Sequence, residues 1–491
     1  MLAEPVSRTM IKEKLLHRGS IGCPPSPVVG SRSDRDLLVV QLNVPAEEGE
    51  GDYFHRSFAP GKALSENSGV HVISLTNEHR RKFAIIEAAD LLVITMVCDL
   101  DLMPVVERRR WAGLPTVYEL NDDVFDLPVS NPRRAFYSTP FNRQLTELLM
   151  KSSDAVQFSS SALQIKYGHY RDRSAVFPNQ ISYLPPERLW RNRRPVVVGW
   201  GGSMGHLEDL QTISDALSGW CRTRDDVKLH LMCAPAIAEL FDAVPAHKKT
   251  LFPPGSMLDY HQFLGTLDIG IAPLNPVSYN SARSDVKFLE YASHGVVPVL
   301  QRARPYLETV REGKTGLMFD TIDELLRHLD HLVADYRDRV RLGIAARDFV
   351  LRHRTQVRGA VERLAFYQGL FPSGATRTAS GHVRGRFEQW STLEGAVRRG
   401  RHLVLLPTAF ETALRDGLYA MEKGWGREAG KCFQIAQSLC PDAYLPYLYL
   451  SGCAGMGSKE AAAWAKEALA RNPESRMCRM ILSATAKTAV G

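Results

Sequence analysis

The sequence predicts the α/β class: two consecutive domains, each built on a parallel sheet and facing the other across a cleft, followed by an all-helical domain. Three observations carry this. From Asp36 to about Leu370, short apolar runs rich in β-branched residues alternate with helical patterns, and strands separated by helices call for a parallel sheet covered on both faces. The alternation breaks once, at an Arg-rich stretch near Arg188–Pro195, and then restarts. Beyond about residue 402 no strand pattern remains. A chain of 491 residues is also too long for a single core. The division that follows is a leader at 1–33, a first α/β domain at 34–190, a second at 191–371, a linker at 372–402 and helical repeats at 403–491.

In order along the chain, residues 1–33 are rich in Pro, Gly, Ser and charge and carry no periodic pattern. The first domain opens with "DLLVVQLNVP" (Asp36–Pro45), and its predicted strands are Leu37–Leu42, Val70–Leu75, Leu91–Met96 and Thr116–Leu120. The second opens with "PVVVGWGGSMGHLEDL" (Pro195–Leu210), continues with strands Lys228–Met232, Asp268–Ala272 and Val296–Leu300, and closes with helices over about Ile322–Leu370. The pattern is that of twin Rossmann-like domains, whose ligands sit at the carboxyl ends of the strands. The last helix is expected to cross back onto the first domain. Residues 372–402 are Gly/Ser/Arg-rich. In the helical part, "REAGKCFQIAQSLCPDA" (Arg427–Ala443) aligns with "KEAAAWAKEALARNPES" (Lys459–Ser475) at an offset of 32 residues, Ala436 falling on Ala468 and Pro441 on Pro473. Such spacing resembles tetratricopeptide repeats, with a period of about 34. Two units are too few to stand alone, so they are expected to pack on the α/β part or on another copy.

Composition excludes several classes. The net charge of +7 is mild for this length and argues against nucleic acid as partner. Eight scattered cysteines without a CxxC or zinc spacing read as free thiols in a reducing compartment. Neither a signal pattern nor an apolar run of roughly 18 residues is present in the sequence, so a cytoplasmic protein is expected, with peripheral contact at the inner membrane surface left open.

Two segments carry chemistry. "GWGGSMGHLEDL" (Gly199–Leu210) leads from a strand into a helix. Gly201 and Gly202 permit a tight turn and close backbone approach, and Ser203 with the next amides falls where a helix N-terminus favours phosphate. His206 and Asp209 lie three residues apart in the same first turn. "NSARSDVKFLEY" (Asn280–Tyr291) puts Lys287 and Glu290 on nearly one face of a helix, behind the polar run Asn280–Asp285. Glu290 can accept two ribose hydroxyls and Lys287 can meet a phosphate. On spacing alone the plainer reading is an i,i+3 surface ion pair worth a few tenths of a kcal/mol.

Asp268–Phe319, containing "NSARSDVKFLEY" and "EGKTGL" (Glu312–Leu317), resembles the donor-binding half of the GT-B retaining glycosyltransferases of family 4, and "GWGGSMGHLEDL" resembles the glycine loop that opens that half. The resemblance covers roughly Asp36–Leu370. It implies sugar transfer from a nucleotide-sugar donor with retention of configuration, no catalytic metal and no cofactor. The acceptor would be a glycan, glycolipid, protein or small molecule. The donor side would comprise Gly201, Gly202, Ser203, His206, Asn280, Ser284, Lys287 and Glu290, with Lys287 and Arg283 stabilising the leaving diphosphate. Family members usually carry a first Glu where this chain has Ala282. In the first domain, "YELNDDVFDLP" (Tyr118–Pro128) is similar to an Asp-Asp acceptor loop, so Asp122 and Asp123 are acceptor-side or base candidates, the alternative being a helix N-cap. Tyr53, His55 and Arg56, in "EGEGDYFHRSFAP" (Glu48–Pro60), stand where the family has its glycine-rich acceptor loop. The competing readings are a degenerate GT-B scaffold serving the helical repeats in protein binding or self-association, and a GT-B-like nucleotide-sugar epimerase.

Overall fold

The computed structural model describes residues 37–44, 51–131, 133–371, 402–405, 407–455 and 457–488. The predicted leader lies outside the described residues, as does the predicted linker apart from His402. The first domain holds β1 (Leu37–Asn43), β2 (Val70–Thr76), β3 (Leu91–Thr95), β4 (Thr116–Leu120), β5 (Ala155–Phe158) and β6 (Ser174–Val176). The second holds β7 (Val196–Gly201), β8 (Val227–Met232), β9 (Lys249–Phe252), β10 (Ile269–Ala272), β11 (Val297–Gln301) and β12 (Leu317–Phe319). A last strand, β13 (His402–Val404), returns to the first sheet and pairs in parallel with β2. The first sheet therefore runs β13-β2-β1-β3-β4-β5-β6 and the second β12-β11-β10-β7-β8-β9.

Every pairing is parallel, as at β1–β2, β3–β4, β7–β8 and β10–β11. The central strands β1 and β7 are buried along their whole length, which is why their sequences read as apolar runs rather than alternating ones. Apolar clusters cover both faces of each sheet. Strand order reverses between β1 and β3 in the first sheet and between β7 and β10 in the second. At such switch points the outgoing loops part and leave a crevice at the carboxyl edge.

The helix Gln356–Gly369 leaves the second domain and buries Ala360 and Tyr367 against Leu37, Val39, Val72 and Val93 of the first sheet, which fastens the two domains together. The C-terminal region is all-helical, with helices Ala409–Glu422, Gly426–Leu439, Leu445–Cys453, Lys459–Arg471 and Arg476–Thr488. Each of these helices packs on the next. Small residues set the approach: Ala436 and Ala468 are fully buried, and a Cβ on Gly417 would stand 2.4 Å from the Phe433 ring. The region sits on the first domain. Ser475 and the Met477 amide donate to Asp101 at 2.8 and 3.0 Å, Arg108 pairs with Glu474 at 2.6 Å, and Phe83 packs its ring against Tyr444. Among the described residues no helix is long and apolar enough to cross a membrane.

Candidate active site

The carboxyl ends of both sheets open onto one cleft of about 630 Å³. From the first domain it is lined by Asp52, His55 and Arg56 after β1, Asn121 and Asp122 after β4, Ser159 after β5 and Asn179 after β6. From the second it is lined by Gly202–His206 after β7, Tyr260, the residues Tyr279, Arg283 and Ser284 after β10, and Lys287 and Glu290 on the helix Val286–Ser293. That helix forms because Phe288, Leu289, Tyr291 and Ala292 bury against the sheet. It stops at Gly295, whose φ of 66° is the left-handed value common at helix ends.

Lys287 and Glu290 do form an i,i+3 pair, at 2.8 Å, but not a surface one: they are 8% and 7% exposed. Tyr260 completes the cluster. Its hydroxyl donates to Glu290 Oε2 at 2.7 Å and accepts from Lys287 Nζ at 2.7 Å. The remaining Glu290 oxygen, Oε1, faces His55 Nε2 across the cleft at 3.7 Å, too long for a hydrogen bond. Burial penalises the Glu290 charge, yet Lys287 and His55 override it and hold the carboxyl well below its ordinary value. A buried carboxylate that stays ionised, with one oxygen toward a cleft, suits the capture of vicinal hydroxyls.

Arg283 lies along the same wall, its guanidinium 3.1 Å from His206 Nδ1 and 5.1 Å over the Tyr279 ring. His206 in turn contacts Asp209 at 2.9 Å. Burial, seconded by Arg283, lowers the His206 ring to about 4, so at neutral pH it is uncharged and Arg283 is the cation of this corner. Asp209 anchors the loop from behind, accepting from the Asn275 amide at 2.8 Å and from the Asn280 side chain at 2.7 Å. Asn280 thus serves the loop and is absent from the cleft wall. Ser284 is on the wall, bonded to Asn179 at 3.0 Å across the domain boundary.

The glycine loop begins with a 3-10 turn, Met204–His206, ahead of the short helix Leu207–Gln211. Ser203, Met204 and Gly205 line the cleft, and the first amides of such a turn lack intrahelical acceptors. Gly201 is the buried end of β7. A Cβ there would stand 2.7 Å from Phe263 and 2.8 Å from Tyr260, so its role is to let the Tyr260 helix, Met257–Leu264, lie against the strand. Gly202 meets Trp200 in the same way, at 2.7 Å.

The two aspartates of the first domain part company. Asp122 lines the cleft and accepts from Tyr279 of the second domain at 2.8 Å. Burial raises its carboxyl, against the pull of Arg283. Asp123 turns inward, fully buried, and binds Lys166 and Tyr167, each at 2.5 Å. Tyr53 packs on Phe58, whereas His55 and Arg56 face the cleft. Sequence reasoning did not single out Tyr260 or Asn179. The one local signal for the former was the Ser256–Asp259 capping box that starts its helix, which marks a helix but not a ligand.

The two α/β domains have the GT-B fold. HepE from Anabaena, in a crystal structure with UDP and glucose, superposes with a TM-score of 0.52 at 12% identity, covering 68% of this chain and 100% of its own. A glycosyltransferase from Rickettsia africae gives a TM-score of 0.52 at 14% identity, covering 69% of this chain and 99% of its own. No family model matches the chain, and no curated protein matches it in sequence.

Proposed function

We propose that this chain is a family 4-like retaining glycosyltransferase that moves a sugar from a nucleotide-sugar donor to an acceptor hydroxyl without a catalytic metal. The observation that carries the reading is the buried Lys287–Glu290–Tyr260 cluster beside Arg283, at the switch point of the second sheet. In this reading Glu290 Oε1 accepts ribose hydroxyls, while Arg283, Lys287, Ser203 and the amides of the Met204–His206 turn hold the diphosphate. The bond from the anomeric carbon to the phosphate oxygen breaks and charge builds on the leaving diphosphate, so donors already aimed at it stabilise the transition state more than the ground state. The acceptor oxygen bonds to the anomeric carbon on the vacated face and its proton passes to Asp122. A cytoplasmic location and recruitment or self-association through tetratricopeptide-like helices belong to the same reading.

The observation on the other side is Ala282. It stands where the commoner pattern has an acid, is 1% exposed within the first domain's apolar cluster, and its carbonyl accepts from Ser160 at 2.7 Å. That favours a scaffold in which the sugar end is closed. Release of nucleoside diphosphate from UDP-glucose and other nucleotide-sugars separates the two. Wild-type protein should release it, Lys287→Ala and Glu290→Ala should each lower the rate at least about 100-fold, and EDTA should change nothing. Release that survives both substitutions would defeat the catalytic assignment, and loss with EDTA would defeat its metal-free form.

A further inference from the structure

Arg56 is 2% exposed, lies on the irregular turn Phe54–Phe58 and belongs to the wall of the cleft. Its Nε donates to Glu119 at 2.5 Å, and its Nη1 donates to the Phe177 carbonyl and to Asn179, both at 2.8 Å. Its Nη2 has no acceptor among the described residues. Glu119, the only carboxylate among these contacts, is shared: Arg363, on the helix that crosses from the second domain, stands 3.6 Å from its other oxygen, and Gln157 donates to the same oxygen. Arg363 is itself buried, with its guanidinium 4.5 Å over the Phe177 ring. Two buried guanidiniums against one buried carboxylate leave an excess positive charge, and of the two guanidiniums Arg56 is the one on the cleft wall. A buried cation short of both a counter-charge and an acceptor is costly unless something supplies them.

The position of Arg56 says what would. Asn179, which accepts from Arg56, donates to Ser284 at 3.0 Å. Ser284 adjoins Arg283 and lies one helical turn before Lys287. The preceding residue on the first-domain turn, His55, faces Glu290, and neither of its ring nitrogens has a hydrogen-bond partner among the described residues. The first-domain turn therefore lies opposite the second-domain side chains assigned above to phosphate and ribose.

We propose that Arg56 binds the donor diphosphate from the first domain, so that the diphosphate is held between Arg56 on one wall and Arg283 and Lys287 on the other. This rests on the nucleotide-sugar reading above and adds a ligand that the second domain alone lacks. A planar guanidinium fork fits a phosphate edge, and the diphosphate supplies the missing negative charge. Because Glu119, Gln157 and Asn179 orient the guanidinium, and Arg363 comes from the crossing helix, donor binding and domain closure are coupled through this cluster.

Titration of the full chain with UDP and with uridine, alongside thermal melting, tests the proposal. Arg56→Gln should weaken UDP roughly tenfold to a hundredfold and leave uridine within about twofold. Arg56→Lys, which keeps a cation against Glu119 and therefore the fold, should fall between. Unchanged UDP affinity in either folded variant would overturn the assignment. So would an equal loss for UDP and uridine, the mark of a merely structural residue. Should wild-type protein bind none of UDP, ADP and GDP, the nucleotide reading itself fails, a result distinct from failure of the Arg56 assignment.

Discussion

Replacing Glu290 with Gln keeps the volume of the side chain and deletes its charge. The carboxylate faces Tyr260 Oη at 2.7 Å, Lys287 Nζ at 2.8 Å and His55 Nε2 at 3.7 Å. A hydrogen bond to a charged acceptor contributes about 1.5–3 kcal/mol, against about 0.5–1.5 for a neutral one. Two ribose hydroxyls bound to an amide instead of a carboxylate therefore lose about 2–3 kcal/mol together, a UDP affinity roughly 30- to 150-fold weaker. The same substitution strips Lys287 of its buried counter-ion, at a cost of about 3 kcal/mol. For a domain of this size that lowers the melting temperature by about 6–12 °C. The assay is calorimetric titration with UDP, uridine and pyrophosphate on protein whose melting has been recorded. Uridine should lose as much as UDP, and pyrophosphate should hold or gain, because Lys287 is freed for phosphate. A UDP affinity within threefold of wild type would refute the ribose assignment. The pH dependence follows from the same contacts. The folded Glu290 value lies below its ordinary 4.5, so the stability it contributes is present above about pH 4.5 and is lost as pH falls below it.

At the seam with the helical region, burial, opposed by Lys82, raises buried Glu78 from 4.5 to about 7. Between those values the folded chain holds a proton the unfolded chain has released, so stability falls as pH rises through this window, by about 3 kcal/mol in all. Glu78→Gln should accordingly raise the melting temperature at pH 8 and give little gain below pH 5; a gain independent of pH would show that Glu78 does not titrate there. Asp122→Asn should slow transfer about 100-fold with little change in melting, whereas Asp123→Asn should cost about 1–3 kcal/mol of stability, because a fully buried carboxylate loses its charge-assisted bonds from Lys166 and Tyr167. Identical behaviour of the two variants would contradict the division between them. Gly417→Ala, forced against Phe433, should cost about 1–3 kcal/mol and open the helical region first in hydrogen exchange, leaving UDP affinity unchanged; protection unchanged in those helices would count against the packing.

What could be read from the chain is what local periodicity encodes. Leu37–Leu42 and Val296–Leu300 announce buried strands because a parallel strand covered on both faces must be apolar throughout. Lys287 and Glu290 announce a pair because i and i+3 share a helix face. The strands that were not legible are short or only partly buried: Ser174–Val176 and Lys249–Phe252 are edge or near-edge segments with half-exposed patterns, and Ala155–Phe158 places Gln157 in its middle. His402–Val404 joins the first sheet from more than 300 residues away from its partner Val72–Ser74, and three residues carry too little pattern to announce that.

By itself, then, the sequence determined the α/β alternation, the helical C-terminal texture and the pairing of a cation with an acid on one helix. Tertiary structure alone decided that this pair is buried with Tyr260 rather than solvated, because Tyr260 is 27 and 30 residues distant from its two partners. It also decided which of two adjacent aspartates meets the cleft, and that Arg56 and Arg363 share Glu119 across 63 and 244 residues of chain. The physical reason is common to all three. Burial and net charge are sums over everything packed around a group, and most of what packs around these groups is distant in the chain.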